Sequence, residues 1–325
     1  MKIAIIYQAK EPPPINGIRK PMKPGGYSDS SADIACCLKQ NNIDVVTPVL
    51  NPDVYNDKEW CFPDTDYGIK TALSLGADTL WLNTVLYKGH PIDNFKNIYV
   101  IGNSTESVEL YDDKYYTNNI LRQSGLSVVK EEIVSVETKY TGGFPCVLKP
   151  IRGRGSQGVV RCGSRKELEH FIKVETEQKV YGTRLMAEEY LSGREVTLSI
   201  LPGGESLPFV ERINHIGGVA PYNGDVPVTE NSFAINDDEP LEKIRLDCEK
   251  AADILKLKGL VRIDCRADEN GVYKMFDFNL KPNMTGASRP HRLNQNSLTM
   301  IAAQACGMTF FDLLLRLIES RRILH

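Results

Sequence analysis

The sequence predicts a mixed fold, an α/β unit followed by α+β layers, on three observations. Short apolar runs alternate with helical stretches through the first hundred residues, the pattern of a parallel sheet with crossover helices. Later segments instead set strand beside strand, one pair of them joined by Asn270-Gly271, a strong hairpin signal. The chain has 325 residues, too many for one ordinary domain and enough for two or three.

The elements follow in order. Residues 2–7 open as a buried strand, and 43–49, 79–82 and 98–101 read the same way. Helical stretches cover 31–40 and 67–75. Residues 8–30 carry Pro12-Pro13-Pro14, Pro21, Pro24 and Gly25-Gly26, too much for a simple turn; a long loop ending at a helix start is often functional. Residues 113–122 are helical. Strands at 127–129 and 146–149, a glycine-rich segment, a strand at 159–161 and a helix over 165–174 come next. Strands at 186–189 and 195–201 precede a polar loop near 214–233. An amphipathic helix over 240–257, stopped by Gly259, leads to the hairpin and a helical C-terminal region. The division expected is 1–108, 109–182 and 183–325.

Composition narrows the function. With 39 basic against 42 acidic residues, the net charge of −3 offers no chain-wide basic surface, so neither nucleic acid nor membrane is an expected partner. Apolar runs are strand-sized, far short of about 20 residues for a membrane span. Neither do they resemble a signal peptide. Eight cysteines without a CxxC pair fit reduced thiols in a cytoplasmic protein and no structural zinc site.

Residues 261–279 are the most informative stretch. With a two-residue turn at Asn270-Gly271, Glu269 faces Val272, Asp264 faces Asp277 and Arg262 faces Asn279. Strand alternation then puts Arg262, Asp264, Asp277 and Asn279 on one face, with Val261, Ile263, Cys265, Phe276 and Phe278 on the other. Opposed carboxylates repel unless compensated. A divalent cation would compensate, and these are the hard oxygen ligands Mg²⁺ prefers. A solvated face whose acids pair with Arg262 and Arg266 is the alternative.

Residues 144–158 form a strand, a lysine and a flexible loop. Lys149 offers a fixed charge, while the loop amides and Ser156 can donate to phosphate oxygens. The lysine precedes the loop, so this is no Walker A motif. Gly153, Gly155 and Gly158 have GxGxxG spacing, but a strand follows them rather than a helix. A mobile glycine-rich turn is the alternative. Between strands at 186–195, Glu188 and Glu195 are acceptors for an amino group and a ribose diol, although surface glutamates are usually just solvated.

In this order and spacing, the motifs Phe144-Pro-Cys-Val-Leu-Lys-Pro150 with its glycine loop, Glu188-Glu-Tyr-Leu-Ser-Gly-Arg-Glu195, Arg262-Ile-Asp264 and Asp277-Phe-Asn279 through Thr285 resemble the ATP-grasp enzymes, most closely the D-alanine–D-alanine ligase family. The resemblance covers nearly the whole chain. It implies a Rossmann-like pre-ATP-grasp domain and two lobes gripping ATP. Lys114 and Lys149 would then meet the phosphates beneath the Ser156 loop. Glu188 would take the adenine amino group beside Tyr190 and Leu191, Glu195 the ribose, and Phe276 the face of the base. Asp264, Asp277 and Asn279 would hold Mg²⁺, or Mn²⁺, with the family's glutamate shortened to Asp277. Arg262 would steady the reacting oxygens, helped by the backbone amide near Asn283. The reaction implied joins a small carboxylic acid to an amine through an acyl phosphate, making an amide or dipeptide-like bond, and a homodimer is implied as well.

The substrate regions depart from the family. Ser30 stands where a glutamate is expected for the first amino group, with Asp29 adjacent. The loop at 215–224 keeps Tyr222 but has no lysine. Residues 286–296 are longer than the family's short turn, and Arg289, His291 and Arg292 there are candidates to clamp a carboxylate. D-alanine is therefore not the expected substrate. A carboxylate–thiol ligase or small-molecule kinase keeps the fold with another acceptor. A non-catalytic nucleotide-binding protein is disfavoured by the intact lysines and metal ligands. His90, His170 and His325 read as structural, whereas His215 lies in the candidate loop.

Overall fold

The computed structural model describes residues 1–221 and 228–325. The chain begins with β1 (Ile3–Tyr7), α1 (Ser28–Gln40), β2 (Phe62–Pro63), α2 (Asp66–Ser74), β3 (Thr79–Asn83), β4 (Ile98–Ile101) and α3 (Thr105–Tyr111). The four strands are parallel, in the order β4-β3-β1-β2. β1 and β3 are buried along nearly their whole length because helices cover both faces. The strand expected at 43–49 is reduced to one bridge, Val45 to Ile3, before Pro48 turns the chain away; β2 takes the sheet edge instead. The proline-rich segment returns to the sheet at Gly26, whose carbonyl accepts from Gln8 N at 2.9 Å. With φ at +58° and a Cβ position 1.6 Å from Gln8 O, that residue must be glycine.

Next come α4 (Lys114–Gln123), β5 (Glu131–Val134), β6 (Cys146–Pro150), β7 (Val160–Cys162), α5 (Arg165–Gln178) and β8 (Leu185–Glu189). They form an antiparallel sheet ordered β5-β8-β6-β7. Residues 127–129 contribute only a bridge from Val128 to Met275.

The remainder comprises β9 (Glu195–Ile200), β10 (Val210–Arg212), α6 (Val228–Asn231), β11 (Ser232–Ala234), α7 (Glu239–Ile254), β12 (Val261–Ala267), β13 (Tyr273–Asn279), α8 (Leu298–Ala305), α9 (Phe310–Glu319) and β14 (Arg322–Leu324). The sheet order is β11-β10-β9-β12-β13, all antiparallel. α7 is capped by Asp238, and its buried Leu241, Ile244, Cys248 and Ala251 follow helical spacing toward the sheet. β14 returns to pair antiparallel with β4, so the chain's last strand completes its first sheet. No single helix among the described residues is long and apolar enough to cross a membrane.

The hairpin corrects the expected register in an instructive way. Its loop holds three residues, Glu269 to Gly271, closed by Asp268 N to Val272 O at 2.9 Å, so Ala267 pairs with Tyr273 and Cys265 with Met275. A bulge at Phe276 then absorbs one residue, restoring Asp264 opposite Asp277 and Arg262 opposite Asn279. Met275 takes the core position assigned to Phe276, and Phe276 turns to the opposite side.

Candidate active site

The sheet containing β6 and β8 faces the β12–β13 hairpin across a cleft of about 870 Å³. Lys114, Lys149, Ser156, Glu188, Tyr190, Leu191, Glu195, Arg262, Asp264, Phe276, Asp277 and Asn279 all line it. Residues drawn from α4 to β13 thus converge on one volume.

At one end, Lys114 opens α4 behind its cap Asp113, and its Nζ lies 2.9 Å from Asp277 Oδ1. Burial pushes the Asp277 carboxyl up, but Lys114 and Lys149 outweigh it and hold the group below the usual carboxylate range. Asp264 accepts from Arg262 Nε at 3.0 Å and Nη2 at 3.2 Å, from Thr197 Oγ1 at 2.5 Å and from Asn279 Nδ2 at 3.1 Å. The Asp264–Asp277 opposition is therefore balanced by Arg262 and Lys114, which are distributed between the two acids.

Lys149, the penultimate residue of β6, has its Nζ 2.6 Å from Glu188 Oε2 and 2.9 Å from Phe276 O. Burial still lifts the Glu188 carboxyl to about 7. Glu195 sits at the far end, 2.9 Å from His215 Nε2 and near Arg212 and Arg266. Its burial alone would raise the carboxyl; His215 and the two arginines hold it below its ordinary value. His215 thereby gains a specific place, as the residue that orients Glu195. His90 is fully buried against Asp64 at 3.1 Å, a structural histidine as expected.

The glycine loop after β6 turns through left-handed backbone at Gly155, Ser156 and Gly158, with φ of 56°, 62° and 70°. Arg154 Nε ties it to Pro21 O in the N-terminal loop at 3.1 Å. Arg266 was not singled out as a site residue. Its guanidinium packs 5.1 Å from the Tyr190 ring and donates to Gly218 O at 2.7 Å, while Arg161 stacks over the same ring at 4.8 Å. The signal was alternation: Arg266 lies two residues beyond Asp264 on the same strand.

The substrate-binding expectations fare differently. Ser30 is fully buried, donating to Tyr27 O at 3.1 Å and accepting from Asn83 Nδ2 at 3.0 Å. Arg289 does not clamp a substrate. It is wholly buried, with Asp33 at 2.8 Å, Asp57 at 2.7 Å, Val54 O at 3.1 Å and Asp29 O at 3.0 Å taking its donors. Arg292 likewise pairs with Asp33 at 3.0 Å, and His291 lies on Tyr55 with 4.8 Å between rings. Sequence alone could not foresee these partners, because Asp33 is more than 250 positions away. Asn283 donates to Thr285 Oγ1 at 3.3 Å and leaves a buried Oδ1 without a hydrogen bond among the described residues. Tyr222 lies outside the described residues. None of the described residues in this group lines the cleft.

Among the described residues no three His, Cys, Asp or Glu side chains cluster as a closed metal cage. Two carboxylates and an amide at one cleft end form an open donor set instead. That suits Mg²⁺, which keeps waters and phosphate oxygens in its shell.

The family model described as D-ala D-ala ligase C-terminus matches residues 115–319. A D-alanine–D-alanine ligase of Aquifex aeolicus is 31% identical over 222 residues, 66% of this chain and 70% of its own. One from Pseudoalteromonas translucida is 24% identical, covering 69% of this chain and 72% of its own. Among solved structures, the Bacillus anthracis D-alanine–D-alanine ligase complexed with ATP aligns at TM-score 0.69 with 20% identity, covering 98% of this chain and 96% of its own. A D-Ala:D-Ser ligase from Enterococcus faecalis aligns at 0.64 with 16% identity, covering 98% of each chain.

Proposed function

The chain belongs to the D-alanine–D-alanine ligase family and is an ATP-dependent carbon–nitrogen ligase of ATP-grasp fold, and from that premise we propose how its own residues serve the reaction. It joins a small carboxylic acid to an amine in an amide or dipeptide-like bond, and the acid and amine are not both D-alanine. The observation that carries this reading is the convergence of Lys114, Lys149, Glu188, Glu195, Asp264 and Asp277 on one cleft.

Glu188 and the Tyr190–Leu191 backbone read the adenine edge, Phe276 covers the base, and Glu195 takes the ribose hydroxyls. Lys149 leaves Glu188 for the phosphates, beneath the Ser156 loop. Asp264, Asp277 and Asn279 hold Mg²⁺, which neutralises charge on the phosphate oxygens when bound. The acid's carboxylate oxygen attacks the γ-phosphorus and ADP departs, leaving an acyl phosphate. The amine then attacks the acyl carbon, phosphate leaves, and the amine gives up its proton. Arg262, aimed at the same end of the cleft, faces the oxygens that gain negative charge in both steps. The closed glycine loop keeps water from the acyl phosphate.

The test is ADP release by the purified protein with Mg²⁺ against pools of acids and amines, with mass spectrometry of each positive pool. ADP and phosphate formed only with both partners present, with a product lighter than their sum by one water, is the expected result. A thioester or a stable phosphoester would replace this reading with a thiol ligase or a kinase.

A further inference from the structure

Lys281 follows the cleft residue Asn279 by two positions and points away from the nucleotide end, toward the N-terminal loop. Its Nζ is buried and has no hydrogen-bond acceptor among the described residues. It lies 3.1 Å from the centroid of the Tyr27 ring, which Lys23 also approaches at 5.2 Å. The charged groups that act on it are Lys23, Lys20 and Asp29.

No carboxylate among the described residues here is left for it. Asp29 is taken by Lys23 at 2.9 Å and Arg292 at 3.5 Å. Asp112 is taken by Lys20, and Asp33 by Arg289 and Arg292. Asp64 is held by His90, Thr84 Oγ1 and Ala9 N. Among the described residues, the corner between α1 and the end of β13 therefore has one amine in excess and no free acid. A buried polar group without a partner is costly, and cost of this kind is retained where a ligand removes it.

We propose that Lys281 is an anion-binding residue of the acid's subsite, so the acid carries a second anionic group and no free ammonium group: a dicarboxylate. One carboxylate reaches the metal-type end of the cleft to react, and the other meets Lys281. A zwitterionic amino acid would find no free counter-charge for its ammonium group among the described residues of this corner. The inference rests on the ligase reading above, since only that reading makes an acid the substrate.

The test is calorimetric titration of the full chain, loaded with Mg²⁺ and a non-hydrolysable ATP analogue, with malonate, succinate and glutarate, and with D- and L-alanine. At least one dicarboxylate should bind more tightly than either alanine. Lys281→Met should weaken it on the order of 10- to 100-fold, Lys281→Arg should restore most of the loss, and analogue affinity should stay within about twofold. Retained analogue binding shows that the variant folds. The inference is overturned by alanine binding better than every dicarboxylate, by no dicarboxylate binding at all, or by dicarboxylate binding indifferent to Lys281→Met. Failure of the unaltered protein to bind the analogue would count against the ligase reading itself.

Discussion

Lys114 Nζ stands 2.9 Å from Asp277 Oδ1, a cation suited to phosphate held by a carboxylate suited to metal. The two groups neutralise each other across the cleft, one from the start of α4 and one from β13. Metal and phosphate entering together would exchange this internal pair for two external ones.

Asp277→Asn therefore keeps the shape and removes the charge. Ligase turnover should fall by at least about 100-fold while nucleotide-analogue binding survives, because the lost charge acts chiefly on the reacting phosphate. ADP release and analogue titration, run side by side, separate the two effects. Unchanged turnover would sink the metal assignment.

Glu188 makes a pH prediction. Burial raises its carboxyl from 4.5 to about 7 in the folded protein, so between those values the folded state holds a proton that the unfolded state has released. Its contribution to stability is thus fully present below about pH 4.5 and is lost as pH rises to about 7, by at most ~3 kcal/mol. Urea unfolding at pH 5 and pH 8 should show a smaller difference for Glu188→Gln than for the unaltered protein.

His215→Ala tests how Glu195 is aimed. Arg212 and Arg266 keep the carboxylate charged, but the 2.9 Å contact that orients it disappears. The KM for ATP should rise about tenfold, with a smaller change in kcat, as for loss of one charged hydrogen bond. Equal falls in both kcat and kcat/KM would place His215 in the chemical step instead.

Arg289→Met should act on stability rather than on substrate affinity. It strips Asp33, which is fully buried, of one of its two guanidinium partners and costs about 3 kcal/mol or more. Arg292→Met, removing the more exposed partner, should cost less. Urea midpoints for the two variants give the comparison, and a larger loss for Arg292→Met would reverse the assignment.

Much of this was readable in the sequence because local rules govern it. Strand alternation placed Asp264, Asp277 and Asn279 together, and the Asp264–Asp277 and Arg262–Asn279 pairs are those observed. They survive only because a longer turn and a bulge shift the register by opposite steps, something no local signal announced. Residues 43–49 have β composition without becoming a strand, whereas β2 and β14, of two and three residues, are strands by virtue of their neighbours. Short edge segments have too little pattern of their own to be recognised.

The sequence by itself determined much of the alternation of elements and the acidic hairpin face, since each depends on spacings of a few residues. The tertiary structure alone decided which charges are spent on the fold. Arg289 and Arg292 look available in the sequence, yet Asp29, Asp33 and Asp57 consume them. Lys281 looks ordinary there, yet its Nζ is buried without a hydrogen-bond acceptor among the described residues. Whether a charge is free or paired depends on partners hundreds of positions away, and only folding brings them within hydrogen-bond reach.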